Sequence, residues 1–219
     1  MTNHLFYEFI RRYVKKNGAI LDAGCGTGGM LDLLKPDYPF VVGIDHARIA
    51  LKYCKLNGID SVLQGAIESL PFAEGAFHGV VSLDVLCHEG VKDDITALKE
   101  IVRVLKPSGY VFLQLPAYEW MRSAHDRMAH ASRRYTERRV REMLVSCDLR
   151  IVRITYRVCI LFPLAFIQRK LLRSQDSDMR ETKSFLNALF MIVMGIEEFL
   201  IKMINLPFGL SVIAIAQKR

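Results

Sequence analysis

Residues 20–30 read ILDAGCGTGGM. The apolar run AILDAG (19–24) feeds a glycine turn, after which MLDLLK (30–35) resumes with helical spacing, so the segment reads as strand, turn and helix. Asp22, Gly24, Gly26 and Gly28 give the pattern Asp-x-Gly-x-Gly-x-Gly at the carboxyl end of that strand. Glycines there permit positive φ and let the backbone approach a ligand that a Cβ would exclude. The helix that follows presents unpaired N–H donors and a positive dipole end, suited to a carboxylate or a phosphate. Twenty-one residues after Gly24, Asp45 closes the next apolar run and can accept two hydrogen bonds from a ribose diol. GCGTGG also satisfies Gly-x-Gly-x-x-Gly through Gly24, Gly26 and Gly29, the fingerprint of a nicotinamide dinucleotide, and the glycines alone leave both nucleosides open. Asp22, Asp84 at the end of a later strand, and a length of 219 residues that leaves no room for a separate substrate domain weigh against a dehydrogenase.

Outward from this loop the same beat repeats. FVVGID (40–45), SVLQG (61–65), FHGVVSLD (77–84) and YVFLQLP (110–116) read as strands. Between them lie HARIALKYCKLNG and a segment opening at Asp93-Asp94 that puts Ile95, Leu98, Ile101, Val102 and Leu105 on one helical face and breaks at Pro107-Ser108-Gly109. Upstream, Leu5, Phe6, Phe9, Ile10, Tyr13 and Val14 share one side of an amphipathic helix. Downstream, Thr136 caps a helix through Cys147, and LRIVRITYRV (149–158) and LSVIAIAQKR (210–219) read as the last strands. Strands alternating with helices imply an α/β fold whose parallel sheet is covered on both faces. There is no internal repeat and no low-complexity tract.

Composition narrows the class. A hydrophobic fraction of 51% with 24% charged residues supports a core and excludes disordered and collagen-like chains. The five cysteines (25, 54, 87, 147 and 159) include no Cys-x-x-Cys pair, which argues against a disulfide framework or a structural zinc and favours a reducing cytoplasm. The start, MTNHLFYEFIRRYVKKNG, lacks a secretory pattern. The net charge of +7 sits in the second half, where residues 111–219 carry 18 Lys+Arg against 10 Asp+Glu. Between Glu119 and Arg157 there are ten arginines and no lysine, and a guanidinium is a rigid fork for carboxylate or phosphate.

The chain resembles the class I S-adenosylmethionine-dependent methyltransferases, in their small-molecule branch. The resemblance rests on four collinear blocks, ILDAGCGTG, VVGIDHARIALKYCK, LQGAIESLPFAEGAFHGVVSLDVLCHE and LKEIVRVLKPSGYVFLQLP. It implies a Rossmann-like, doubly wound seven-stranded sheet whose last strand is antiparallel and lies between strands five and six. A single domain would then span 1–219, with residues 159–208 as a helical insertion between strands six and seven. The implied cofactor is S-adenosyl-L-methionine. Gly24, Cys25, Gly26 and Gly28 would flank its methionine end, Asp22 its amino group, and Asp45 with His46 its ribose. Ala66 and Ile67 would border the adenine, and Ser82, Leu83 and Asp84 the methyl-bearing sulfur. Many relatives carry an acidic residue where this chain has Ala66, so Glu68 or the backbone would have to read the base.

In open sheets ligands bind beyond the carboxyl ends of the strands. LCHEG, PAYEWMRSAHDRMAHASRRY and the insertion should therefore converge on the acceptor. Candidate bases are His88, His125, His130 and Tyr135, with Asp126 beside them. Asp126 and His130, four apart, could share a helix face as metal ligands, but spacing fixes no third ligand and no metal is expected. Arg133 and Arg134 are candidates for holding an anionic group of the acceptor. In 185–206, Asn187, Glu198, Lys202 and Asn205 form a narrow polar stripe on an otherwise apolar helix, which must be covered as a lid, a homodimer contact or a peripheral membrane element. Its uncharged run Phe185–Ile196 is 12 residues, short of the ~20 that cross a bilayer. The expected acceptor is a small or lipid-linked molecule. An RNA methyltransferase, an NAD(P)-dependent oxidoreductase and a non-catalytic cofactor-binding partner are the alternatives. Nucleic acid is disfavoured because the fourth strand ends in LDVLCHE, without the Asn/Asp-Pro-Pro-aromatic arrangement of amino-methylating nucleic-acid enzymes.

Overall fold

Apolar runs of five to nine residues bounded by glycine, proline or asparagine form the strands β1 (Ala19–Ala23), β2 (Phe40–Asp45), β3 (Val62–Gln64), β4 (Phe77–Leu83), β5 (Leu105–Pro116), β6 (Leu149–Arg157) and β7 (Ser211–Lys218), of which β3 is shorter and β5 longer than that range. The computed structural model describes residues 2–163, 166–167 and 184–219. All seven strands join one sheet in the order β3-β2-β1-β4-β5-β7-β6. The pairs β1–β2, β1–β4, β2–β3 and β4–β5 are parallel, and β7 runs antiparallel to both β5 and β6. The chain leaves β1 to one side for β2 and returns on its other side as β4, so the winding reverses there and a crevice opens between the carboxyl ends.

Helices cover both faces. On one face α1 (Thr2–Tyr13), α2 (Gly29–Leu34) and α3 (Arg48–Leu56) bury Leu5, Phe6, Phe9, Ile10, Leu31 and Leu51. On the other, α4 (Asp94–Val104) and α6 (Glu137–Ser146) bury Leu98, Ile101, Val140 and Leu144, while the short α5 (Ala124–Met128) lies among the loops between β5 and α6. The expected caps are present: the Asp93 carboxylate accepts from the Ile95 and Thr96 N–H groups, and the Thr136 hydroxyl from that of Arg139. The strand after α4 begins earlier than its sequence suggests. Leu105 already pairs with Phe77, and Pro107-Ser108-Gly109 forms a register shift inside β5, with Ser108 at φ 62°, instead of a break before it.

Between β6 and β7 the described part of the expected insertion is α7 (Ser184–Met203) and the turns around it; residues 164–165 and 168–183, and with them the polar link SQDSDMRETK, lie outside the described residues. α7 is tied to the sheet by Glu197, which is fully buried and accepts backbone hydrogen bonds from Val158 and Ile160. The expected polar stripe of Asn187, Glu198, Lys202 and Asn205 is thus not the whole polar pattern, because Glu197 turns inward; the side chain of Asn187 lies outside the described residues. Among the described residues no helix is long and apolar enough to cross a membrane.

Phe6 is wholly buried in the α1 face, so Phe6→Ala should lower unfolding stability by about 3–5 kcal/mol in urea titrations followed by far-ultraviolet circular dichroism.

Candidate active site

The turn after β1 is forced into the left-handed region at Gly24 (φ 91°), Gly26 (φ 53°) and Gly28 (φ 90°). A Cβ on Gly24 would come within 2.1 Å of Val85 Cγ2, so the close passage of the turn under the β4 exit demands glycine. Around Gly26 nothing lies within 4 Å of that position, and its backbone faces open space. The N–H groups of Gly24 and Cys25 donate to Ile44 O at 2.8 and 3.0 Å, locking the turn to β2.

This turn, the ends of β2, β3 and β4, and the loop 85–91 enclose a cavity of about 300 Å³. Its wall includes Gly24, Gly26, Asp45 and His46 on one side and Ala66, Ile67, Leu83 and Asp84 on the other. Four residues expected at the site stand off the cavity lining. The Cβ direction of Gly28 points at Ile59, and Cys25 Sγ packs against Gly43, so that thiol is buried and its pKa is pushed well up. Ser82 and Asp22 are buried beneath the wall. Residues that the sequence left unremarked complete it: Ile44, Ala47, Ala50, Val85, Gly90 and Val91.

Electrostatics distinguish the two strand-end aspartates. Asp45 accepts from the Gly26 and Ala47 N–H groups, both at 2.8 Å, which leaves lone pairs for two further donors. Asp22 is 3% exposed, and its Oδ2 has no hydrogen-bond partner. Burial, reinforced by the charge of Asp45, pushes its pKa up to about 7. A buried carboxylate with an unpartnered oxygen, next to an open glycine turn, is what an incoming ammonium would satisfy, and a ribose diol suits Asp45. Ile44, Ala66 and Ile67 offer an apolar slot for a base, and Glu68, which also lines the cavity, is held by the Lys92 N–H at 2.6 Å. The residues present therefore fit an aminoacyl nucleoside. Asp84 (φ 57°) accepts from Gln114 Nε2 at 2.7 Å, fixing the cavity floor.

Of the candidate bases, His88 lines the cavity and His130 lies behind it, against the His88 ring. His88 lies between His46 and His130, with ring centroids 5.4 and 5.7 Å apart. Its Nδ1 accepts from the Gly90 N–H at 3.1 Å, so the neutral ring carries its proton on Nε2 and presents a donor. Burial, then the neighbouring His46 and His130, lower its pKa. His130 lies beyond the end of α5 with φ 51°, and its Nδ1 is 2.6 Å from Glu89 Oε1. The side chain of His125 lies outside the described residues.

Three expectations are corrected by hydrogen bonding. Tyr135 is buried and donates to Leu86 O and Asp94 Oδ2, both at 3.1 Å, with its pKa pushed far up by burial, so it is no base. Arg133 spends its fork on Val91 O and Lys92 O, each at 2.8 Å. Arg134 is buried against Asp126 at 2.7 Å and donates to Ala117 O at 2.6 Å. Neither guanidinium is available to an acceptor, because Arg133 satisfies carbonyls of the 86–92 loop and Arg134 that of Ala117, groups that no regular structure pairs. Asp126 is accordingly committed to Arg134 and Ser123, His130 is not on its helix, and no group of three side chains among the described residues is placed to hold a metal.

Fold and site together define an open α/β domain with a cavity at its switch point. Residues 21–113 match the family described as "Methyltransferase domain". Over 117 residues the chain is 36% identical to 24-methylenesterol C-methyltransferase 2 of Arabidopsis thaliana, a match covering 49% of this chain and 30% of that protein. Over 101 residues it is 36% identical to the tRNA (carboxymethyluridine(34)-5-O)-methyltransferase of the same plant, covering 46% and 24%. The matched stretch thus spans less than a third of these relatives' length. In structure it is similar to the YcgJ protein from Bacillus subtilis (TM-score 0.65, 18% identical, 99% of this chain and 98% of that one). It is likewise similar to a SAM-dependent methyltransferase from Methanosarcina mazei (TM-score 0.63, 20% identical, 96% of each chain). Residues 21–113 are thus a methyltransferase domain, and the cofactor that such a domain implies is S-adenosyl-L-methionine.

Two outcomes test this electrostatic reading without any ligand. Because the folded pKa of Asp22 is raised from 3.8 to about 7, its ionisation costs the fold stability progressively as pH rises from roughly 4 to 7, and the cost is complete above that. Asp22→Asn should therefore be more stable than the parent at pH 8, by a few kcal/mol at most, and equal to it near pH 4. Arg134→Gln, in contrast, strands the buried Asp126 charge and should cost about 3–5 kcal/mol at pH 7 in thermal or urea unfolding.

Proposed function

We propose that the chain transfers a methyl group from S-adenosyl-L-methionine to a small-molecule or lipid-linked acceptor with an apolar body. The observation that carries this is the 300 Å³ cavity at the switch point, with the unpartnered Asp22 oxygen on one flank and the doubly anchored Asp45 on the other. When bound, the cofactor supplies an electrophilic methyl on a sulfonium centre. Asp45 would accept the ribose hydroxyls and Asp22 the amino group, while the Gly24 and Gly26 backbone borders the methionine end. Ala66 and Ile67 would border the adenine, with His46 at the ribose and Leu83 and Asp84 towards the reacting end. Methyl transfer to a lone pair needs mainly orientation and exclusion of water, so positioning supplies much of the rate.

An aromatic cluster on the same edge of the sheet supports an apolar acceptor. Tyr118, after β5, stacks on Tyr156 of β6 and on Trp120, each at 5.3 Å, and Phe162 meets both Tyr118 and Phe208. Trp120 and Phe208 remain 46% and 40% exposed, a wall that the described residues leave open on its outer side. The relative named a sterol C-methyltransferase fits that chemistry by its name; the anionic feature expected from Arg133 and Arg134 does not enter. If the acceptor must lose a proton, the His130–Glu89 pair is the base, since an Nδ1–H donated to the carboxylate leaves the Nε2 lone pair as the proton acceptor. His88, proton on Nε2, orients the acceptor as a donor.

Methyl-labelled cofactor incubated with a lipid extract, a polar metabolite extract and tRNA separates the readings. Label should enter the lipid or small-molecule fraction; label in tRNA selects the RNA reading, and binding without product anywhere selects a non-catalytic partner. Calorimetric heat with NADH but none with S-adenosyl-L-methionine would overturn the cofactor assignment. With an acceptor in hand, His130→Gln should lower kcat about 10²-fold, leaving cofactor affinity unchanged.

A further inference from the structure

The long helix between β6 and β7 is inside out. Its inward side carries Met194, Ile201 and the fully buried Glu197. Its outward side carries Ile192, Ile196, Phe199 and Met203, exposed by 61, 52, 63 and 68%. These four recur at helical spacing over about 16 Å, three turns of one continuous apolar stripe facing solvent. Glu197 explains the inversion, because the exit of β6 needs a buried acceptor for the Val158 and Ile160 N–H groups, and that need points the helix's polar residue at the protein.

At the Met203 end of the stripe lies a second feature. A cleft of about 320 Å³ between α1, β6 and α7 is lined by Arg12, Arg153 and Lys202 together with Tyr13, Val152, Met203 and Asn205, and no carboxylate is among its lining residues. Among the described residues Arg153 donates to neutral acceptors, the Asn205 side chain and the carbonyls of Lys202 and Ile204, which fix its charge in place without neutralising it. Burial works against that charge and outweighs the opposing effect of Tyr13, and Arg12 adds to it, a strain that an anion in the cleft would relieve.

We propose that this face docks the protein on an anionic phospholipid bilayer, with the α7 stripe lying in the interface and a lipid phosphate held in the Arg12–Arg153–Lys202 cleft. A bilayer surface is the occupant that offers both chemistries side by side, hydrocarbon beside phosphate, which is how amphipathic helices lie in an interfacial plane. A second copy fits less well, since residues 111–219 alone carry 18 Lys+Arg against 10 Asp+Glu and a paired face would set like charge against like. The inference is independent of which acceptor is methylated.

Flotation of the full chain with phosphatidylcholine vesicles containing about 30% phosphatidylglycerol, against pure phosphatidylcholine, is the test. The chain should float with the anionic vesicles and release as salt is raised to about 0.5 M. Ile196→Glu with Phe199→Glu should abolish flotation. Arg12→Glu with Lys202→Glu should lower the partition coefficient at least about tenfold and remove the preference for anionic lipid. All four positions are exposed, and unchanged calorimetric binding of S-adenosyl-L-methionine certifies that each variant is folded, separating this outcome from failure of the cofactor site. Absence of the parent chain from the anionic vesicle fraction overturns the proposal. So does flotation that survives the Ile196/Phe199 pair, or a stripe-dependent dimer in sedimentation equilibrium with no vesicle binding.

Discussion

Two carboxylates stand at the ends of adjacent parallel strands, and one of them, Asp22, is buried with an oxygen that no protein donor reaches. The rest of the site follows from that arrangement. Asp45 can bear its charge because the glycine turn brings the Gly26 N–H to it and the α3 entry brings that of Ala47. Asp22 has no such help, and burial together with Asp45 raises its pKa to about 7. A fold that holds a carboxylate in this state forgoes stability at neutral pH, and recovers it when a cation enters beside Asp22. On the proposed reading, binding and stability are coupled through one side chain, and the positive φ values at Gly24 and Gly26 are the geometric condition for the coupling.

The same loop made the fold legible. A strand whose apolar run stops at an aspartate and continues through alternating glycines already places the switch point, and the later strands announced themselves because both faces of a parallel sheet are buried. The sheet order needed more than periodicity. That β7 inserts between β5 and β6 rested on the resemblance, since an alternating strand such as LSVIAIAQKR says nothing of its neighbours. Pro107-Ser108-Gly109 read as a break for a physical reason: it has turn chemistry, and here it serves a bulge within a continuous strand.

Side-chain roles were less legible than backbone roles. Backbone contacts at Gly24 and Gly26 follow from missing atoms, which a sequence states outright. Arg133, Arg134 and Tyr135 looked like functional chemistry, yet their hydrogen bonds go to Val91, Ala117, Asp126, Leu86 and Asp94, partners between 8 and 49 residues away. An irregular loop packed over a sheet must pair its carbonyls somehow, and arginine forks are an efficient way to do it. Glu89, adjacent to His88 in sequence, pairs instead with His130, 41 residues on. Gln114 did carry a signal, a polar residue in the buried run VFLQLP, and it holds Asp84 in place.

The inversion of α7 shows the same principle acting on a whole element. A helix normally turns its apolar side inward because that side has most to gain from burial. Here the exit of β6 leaves two N–H groups that hydrocarbon cannot satisfy, and a buried N–H without a partner costs about as much as the burial of a large aliphatic side chain returns. Glu197 satisfies both at once, while Ile201 and Met194 still reach the core from neighbouring turns. Once Glu197 is inside, helical geometry leaves Ile192, Ile196, Phe199 and Met203 on the far side. The outward stripe is thus a consequence of satisfying the β6 exit, and its adjacency to a carboxylate-free cationic cleft is what turns that consequence into a surface with a defined chemistry.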